Sequence, residues 1–328
     1  MKSVWTTHEL TADGTRRDAL GRRVAQGELI RLVRGMYSPA TPLDAREAHL
    51  RLLAAQLSCL GPDAVASHAS AASLHGLPVQ TNLLGRAWVT RTAGSHGRTT
   101  TSLQQTSAAL LPDELTTIEG IATTTAARTA ADLATTASYP WAVAAWDALL
   151  HLTLATPDEA KQAAARLGRR RGARGARASL AFADHRAESV LESISRVQIS
   201  RLGLPPPVLQ HPIYLDGTLV ARSDFGWPEF NLVGEADGLH KYADQAFDSR
   251  TGAEVIRDEK RREELIREAG WHICRWDWST AHQLPALDKR IRAGLRHGAE
   301  LRPVCRRPDV GDTDNARLRG DGVRPESA

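Results

Sequence analysis

Apolar and polar positions change period several times along these 328 residues, and each change predicts a new element. At the front, Thr6-Thr7-His8-Glu9-Leu10 reads as a helix start, with a threonine cap and Glu9 in the first turn. Asp13-Gly14-Thr15 reads as a turn. Arg16 to Gln26 then carries Leu20 and Val24 four apart, which predicts a second helix ended by Gly27. Leu29 to Tyr37 alternates as a short hairpin. Helix, turn, basic helix and basic hairpin in this order match the layout of a winged helix-turn-helix DNA reader. Arg16, Arg17, Arg22, Arg23, Arg31 and Arg34 are its candidate DNA contacts; the competing reading is a small helical cap with solvated arginines.

Asp44 to Leu60 predicts an amphipathic helix, and Ala71 to Pro78 a short helix closed by Gly76. Residues 86–127 are β-rich in pattern, and Arg128–Thr135 and Trp141–Leu152 return to helix. His68, His75 and Asp132 read as buried, hydrogen-bonded side chains in preference to a site. Residues 166–177 hold six arginines, three glycines and no acid, which predicts a basic linker along a polyanion. The segment after about residue 302 has almost nothing to bury and reads as a disordered tail.

Glu188 to Leu202 predicts a helix with an apolar face of Val190, Leu191, Ile194 and Val197, stopped by Gly203 and three prolines. Thr218–Trp227 and Asn231–Asp237 alternate on either side of a short turn, so they are expected to pair antiparallel. Asp224 shares a face with Val220 and Arg222, and Glu235 and Asp237 share one with Val233. A charged helix over Glu254–Ala269 and a strand over His272–Trp276 follow. Taken together, the pattern predicts a multidomain α/β protein. Its expected parts are a winged helix (1–42), a central α+β region (43–165), an Arg-rich linker (166–185), an α/β domain (186–300) and a tail (301–328).

Composition changes this picture only modestly. The chain has a net charge of +4 and a pI near 9.2, which suits a polyanionic partner, although thirty-seven arginines against five lysines is a skew that GC-rich coding also produces. Three cysteines without metal-ligand spacing argue against a disulfide framework or zinc site and point to a reducing cytoplasm. No apolar run is long enough for a membrane span, and the first residues do not form a signal peptide, so no membrane partner is expected.

Asp224, Glu235 and Asp237 are the candidate catalytic and metal-binding residues. Crowded carboxylates repel one another without a cation, and hard oxygen ligands in this number suit Mg²⁺ or Mn²⁺. Such an ion activates water toward a phosphodiester. His240 and Lys241 follow at once and are candidates for steering that water or neutralising the transition state. On spacing alone, a hairpin with solvated carboxylates competes strongly with this reading.

Five blocks carry a resemblance that shifts the balance: Ala187-Glu188-Ser189-x-x-Glu192-Ser193, Asp224-Phe225-x-Trp227-Pro228, Glu235-x-Asp237-Gly238-x-x-Lys241-Tyr242, Glu259-Lys260-Arg261-Arg262-Glu263 and Gly270-Trp271-x-x-x-Arg275-Trp276. Residues 186–285 resemble the very-short-patch-repair-like endonucleases of the PD-(D/E)xK superfamily. The resemblance implies a restriction-endonuclease-like fold, Asp224 and Glu235 as metal ligands, Asp237 as a third, and Glu192 as a helix-borne acidic partner. One departure matters: the superfamily pattern has lysine where Asp237 stands, leaving Lys241 or His240 to substitute, or the fold to persist without cleavage.

Roughly residues 4–180 resemble the AbiEi-type antitoxin family of type IV toxin–antitoxin systems. The matches are Arg31-Leu32-Val33-Arg34-Gly35-x-Tyr37, Ala66-Ser67-His68-x-x-Ala71-Ala72-x-x-His75-Gly76-Leu77-Pro78, and Gly120-Ile121-x-Thr123 with Ala127-Arg128-Thr129-x-x-Asp132-Leu133. That resemblance implies a DNA operator and a nucleotidyltransferase-like toxin as partners. Two functions therefore stand as expectations: a Mg²⁺-dependent DNA endonuclease, and an antitoxin-like transcriptional regulator whose nuclease-like domain does not cut.

Overall fold

The computed structural model describes residues 4–12, 16–91, 96–237 and 252–301. The first unit is built around β1 (Trp5–Thr6), α1 (Thr7–Thr11), α2 (Arg17–Ala25), β2 (Leu29–Val33) and β3 (Met36–Pro39). Thr6 caps α1 reciprocally: its Oγ1 accepts from the Glu9 amide at 3.1 Å, and the Glu9 carboxylate accepts from the Thr6 amide at 2.8 Å. Gly35, at φ 80°, makes the tight turn between β2 and β3 that a Cβ would strain. The strands form a sheet in the order β1-β3-β2. The turn expected at Asp13-Gly14-Thr15 lies outside the described residues.

Next come α3 (Ala45–Cys59), β4 (Ala64–Ala66), α4 (His68–His75), β5 (Ala87–Arg91), β6 (Arg98–Thr99) and β7 (Leu103–Ser107). They are followed by β8 (Leu115–Ile118), β9 (Ile121–Thr124), α5 (Ala126–Ala134), α6 (Tyr139–His151), α7 (Pro157–Arg166) and α8 (Ala173–Phe182). Their six strands form one mixed sheet in the order β6-β7-β5-β4-β9-β8. Alternation along β5 decides its two sides: Ala87 and Val89 pack with Leu53 of α3, while Trp88 packs with the helices α4 to α8. That helical layer is built on alanine, with Ala69, Ala130, Ala145, Ala163 and Ala176 buried around Trp146. Small side chains let the helices approach closely, and the Trp146 ring fills space they leave.

The Arg-rich linker expected over 166–185 is corrected here. Residues 173–182 form α8, whose Ala173, Ala176 and Ser179 are buried against α6 and α7. Helical spacing puts small residues inward, so the arginines stand at the rim and several are spoken for. Arg166 forks onto Asp113 at 2.8 and 3.1 Å, and Arg177 donates to the Gly168 carbonyl at 3.1 Å. Arg169, Arg171 and Arg174 are exposed. The central unit therefore runs through α8 rather than ending at residue 165.

The last unit is α9 (Val190–Arg201), β10 (Val208–Leu215), β11 (Thr218–Trp227), β12 (Leu232–Asp237), α10 (Gly252–Glu268), β13 (His272–Asp277), α11 (Trp278–His282) and α12 (Leu284–Glu300). Its sheet has the order β10-β11-β12-β13; the first three strands are antiparallel neighbours and β13 runs parallel to β12. One face carries Phe225, Trp227, Leu232 and Trp276 against α9 and α12. The other carries Ile213, Val233 and Ile273 against Ile266 of α10. A buried ion pair joins this unit to the central one: Arg196 of α9 holds Asp147 of α6 at 2.7 Å and lies 4.5 Å over the Phe182 ring. The tail after residue 301 lies outside the described residues.

Candidate functional site

The β11–β12 register fixes the carboxylate cluster. Phe225 pairs with Gly234, so continuing by one residue sets Asp224 beside Glu235. The Asp224 carboxylate accepts from the amide of Ala236, the next residue of β12, at 2.8 Å. Strand alternation turns Asp224, Glu235 and Asp237 toward α10, away from the aromatic core.

Glu235 is 3% exposed and its charge is answered by arginine. Arg262 of α10 donates to Oε1 at 2.5 Å and to the Arg222 carbonyl at 3.0 Å. Arg275, set beside Glu235 by the parallel register, brings Nη2 to 3.1 Å of Oε2 and donates from Nη1 to Glu259 at 2.6 Å. Burial opposes the charge of Arg275, but Glu259, Glu235 and Asp237 outweigh it and hold its pKa above the ordinary arginine value. A buried carboxylate between two guanidinium groups is already neutralised. Among the described residues no three His, Cys, Asp or Glu side chains gather as a metal-holding set. In this arrangement a Mg²⁺ or Mn²⁺ ion at Glu235 would compete with Arg262 and Arg275 for the carboxylate.

Glu192 lies elsewhere in the unit. It is 5% exposed at the first turn of α9, where its carboxylate accepts from the Glu188 amide at 3.0 Å and from Gln210 of β10 at 2.8 Å. Burial pushes its pKa up, against the lowering effect of those hydrogen bonds. Its geometry is that of a helix-end cap tied to the sheet. Glu188 pairs with Arg222 at 2.8 Å. His240 and Lys241 lie outside the described residues.

Arg262 and Arg275 are the residues that spacing did not assign to Glu235. A signal existed for one of them: Arg262 stands four before the fully buried Ile266, so helical period turns it toward the sheet. For Arg275 the signal was absent, since only the parallel pairing with β12 brings it alongside.

At the other end of the chain, Arg16, Arg22, Arg31 and Arg34 are exposed on α2 and the β2–β3 hairpin. Arg16 stands 3.6 Å from Asp18, and Arg23 is engaged by Glu28 at 2.9 Å. Arg17 opens α2, with its side chain outside the description. The two histidines and the aspartate of the central unit are structural. His68 is buried, stacked 5.3 Å from Trp88 and bonded to Ser67; His75 bonds the Thr124 carbonyl at 2.7 Å; Asp132 pairs with Arg128 at 2.8 Å.

Fold and site together define a multidomain α/β protein with an arginine-rich helix–hairpin at one end and an arginine-neutralised carboxylate cluster at the other. No family model matches the chain. It is similar to the uncharacterized proteins Rv2248 and MT2308 of Mycobacterium tuberculosis, each 34% identical over 260 residues that cover 78% of this chain and 88% of the relative. The chain belongs to the family of these mycobacterial proteins. No helix among the described residues is long and apolar enough to cross a membrane.

Proposed function

We propose that the protein binds DNA through α2 and the β2–β3 hairpin as an antitoxin-like transcriptional regulator, and that its C-terminal nuclease-like unit does not cut. The observation that carries the reading is the solvent-exposed set Arg16, Arg22, Arg31 and Arg34 on a helix followed by a two-stranded wing. A helix of this kind enters a major groove while the wing lies along the backbone, and guanidinium groups bind phosphates bidentately. The reading without cutting is supported by Glu235, whose carboxylate is engaged by Arg262 and Arg275. In the same reading the cell compartment is the cytoplasm and the partner is a nucleotidyltransferase-like toxin encoded nearby. Fluorescence anisotropy with duplex from the protein's own upstream region tests the first part. The Arg31→Ala/Arg34→Ala double variant is expected to lose roughly tenfold or more in affinity and about 1.8 in salt slope. Wild-type affinity in that variant sinks the proposal.

One observation favours a second reading, a metal-dependent DNA endonuclease: Asp224, Glu235 and Asp237 lie on one sheet face behind an α-β-β-β-α-β order of elements. In that reading a metal ion competes with Arg262 and Arg275 for Glu235. Nicking of supercoiled DNA with Mg²⁺ or Mn²⁺, abolished by Asp224→Ala, establishes it; no nicking on any DNA form leaves the regulator reading alone.

A further inference from the structure

The wing does not stand alone on its side of the molecule. A cleft of about 450 Å³ opens between the β2–β3 hairpin, the end of α3 and the outer strands of the six-stranded sheet. Its lining includes Arg31, Arg34, Arg98, Thr100, Thr101 and Ser102, and no acid. Arg98 belongs to β6, the terminal strand of that sheet, and is exposed.

Pairing separates these arginines from their neighbours. Arg23 is held by Glu28, Arg51 by Glu47 and Arg91 by Asp63, each within 3.3 Å. Arg31, Arg34 and Arg98 make no ion pair with any described residue. Three uncompensated guanidinium groups facing one cleft repel one another, and a polyanion relieves that repulsion. The walls are fixed relative to each other. Arg51 of α3 donates to Ser38 of β3 at 3.0 Å, and Gln56 of α3 donates to Ser102 at 2.9 Å. The cleft therefore continues the wing surface onto the central unit as a single rigid track.

We infer that this cleft carries the DNA backbone from the wing across the edge of the six-stranded sheet, with Arg98 as a phosphate contact supplied by the central unit. The inference rests on the DNA-binding reading of α2 and the hairpin and extends its footprint. Arg98 supplies the charge, while the hydroxyls of Thr101 and Ser102 are of the type that hydrogen-bonds phosphate oxygens. The contact is to backbone and so lends affinity without sequence preference.

The test uses the full chain and a fluorescent mixed-sequence duplex, with affinity measured across a salt series for wild type, Arg98→Ala, Arg98→Lys, Arg98→Glu and the Arg31→Ala/Arg34→Ala double variant. Arg98→Ala is expected to weaken binding roughly 3–10-fold and lower the salt slope by about 0.9, one phosphate's worth. Arg98→Lys retains the slope and Arg98→Glu weakens binding further. Exposed Cys59 also lines the cleft, so maleimide labelling of a Cys305→Ser chain should slow when duplex is bound. If the Arg31/Arg34 variant loses affinity while all Arg98 variants keep wild-type affinity and slope, the cleft assignment is overturned and the wing reading stands. If the wild-type chain does not bind duplex, the wing reading itself fails and the cleft assignment falls with it.

Discussion

Arg128 shows how a single side chain can hold a unit together. It lies 5% exposed between Glu114 and Asp132, at 2.8 Å from each, and its pKa stands above the ordinary arginine value because the two carboxylates outweigh its burial. Truncating the cation leaves two buried carboxylates with only the longer contacts of Arg166 to Glu114, 3.7 Å, and Arg170 to Asp132, 3.9 Å. Arg128→Met should therefore cost about 3–5 kcal/mol in urea unfolding; a loss under about 1 kcal/mol would show that water replaces the guanidinium. His49 is fixed by a buried hydrogen-bond set. The Trp88 amide donates to Ser70 Oγ at 2.8 Å, His49 Nε2 lies 2.9 Å from the same Oγ, and Nδ1 donates to the Leu84 carbonyl at 2.8 Å. Burial lowers the pKa of His49, and of His68, where Asp132 opposes the effect and Arg128 and Arg170 add to it.

The sign of the pH effect follows. Below the ordinary value of 6.5 the unfolded chain takes up protons that the folded histidines refuse. Their contribution to stability is present above that pH and is lost as pH falls through and below it. Denaturation midpoints measured between pH 7.5 and about 5 should fall, and His49→Gln should show a shallower fall. A flat profile in the wild type contradicts the assignment.

At the level of elements, the helix ends and the hairpin were legible because their signals are local. The Thr6–Glu9 cap, the Gly27 stop and the Leu29–Tyr37 alternation each involve residues a few positions apart. Thr6→Ala should remove about 1 kcal/mol of stability from the first unit, read by hydrogen exchange of α1. β10 escaped notice for an equally local reason. It contains Pro212 and follows three consecutive prolines, a pattern that argues against a strand. The strand forms because it lies at the sheet edge, where a missing amide is tolerated. α12 was also missed, and its position depends on a close approach that spacing does not reveal. A Cβ on Gly298 would stand 2.2 Å from the Phe230 carbonyl oxygen. Gly298→Ala is therefore expected to destabilise by about 1–3 kcal/mol despite alanine's better helix propensity, and a gain in melting temperature would refute that packing.

Across the whole molecule, the Arg-rich segment turned from an expected linker into a wall of the central unit. Helical spacing of its alanines, rather than its charge, decided the outcome. Beyond it, Asp147 and Arg196 join α6 to α9 across the boundary between units. Arg196→Met should strand Asp147 in a buried site and uncouple the two, splitting thermal unfolding into separate transitions; one unchanged transition would mean the apolar contact suffices. The sequence by itself determined the periodic elements, the antiparallel β11–β12 pair and the meeting of Asp224 with Glu235, because those depend on short-range alternation and one turn. Only the tertiary structure decided what that meeting amounts to. Arg262 reaches Glu235 from 27 residues away and Arg275 through a parallel crossover. What a buried carboxylate pairs with is set by whatever the fold packs around it, and those neighbours are written nowhere near it in the chain.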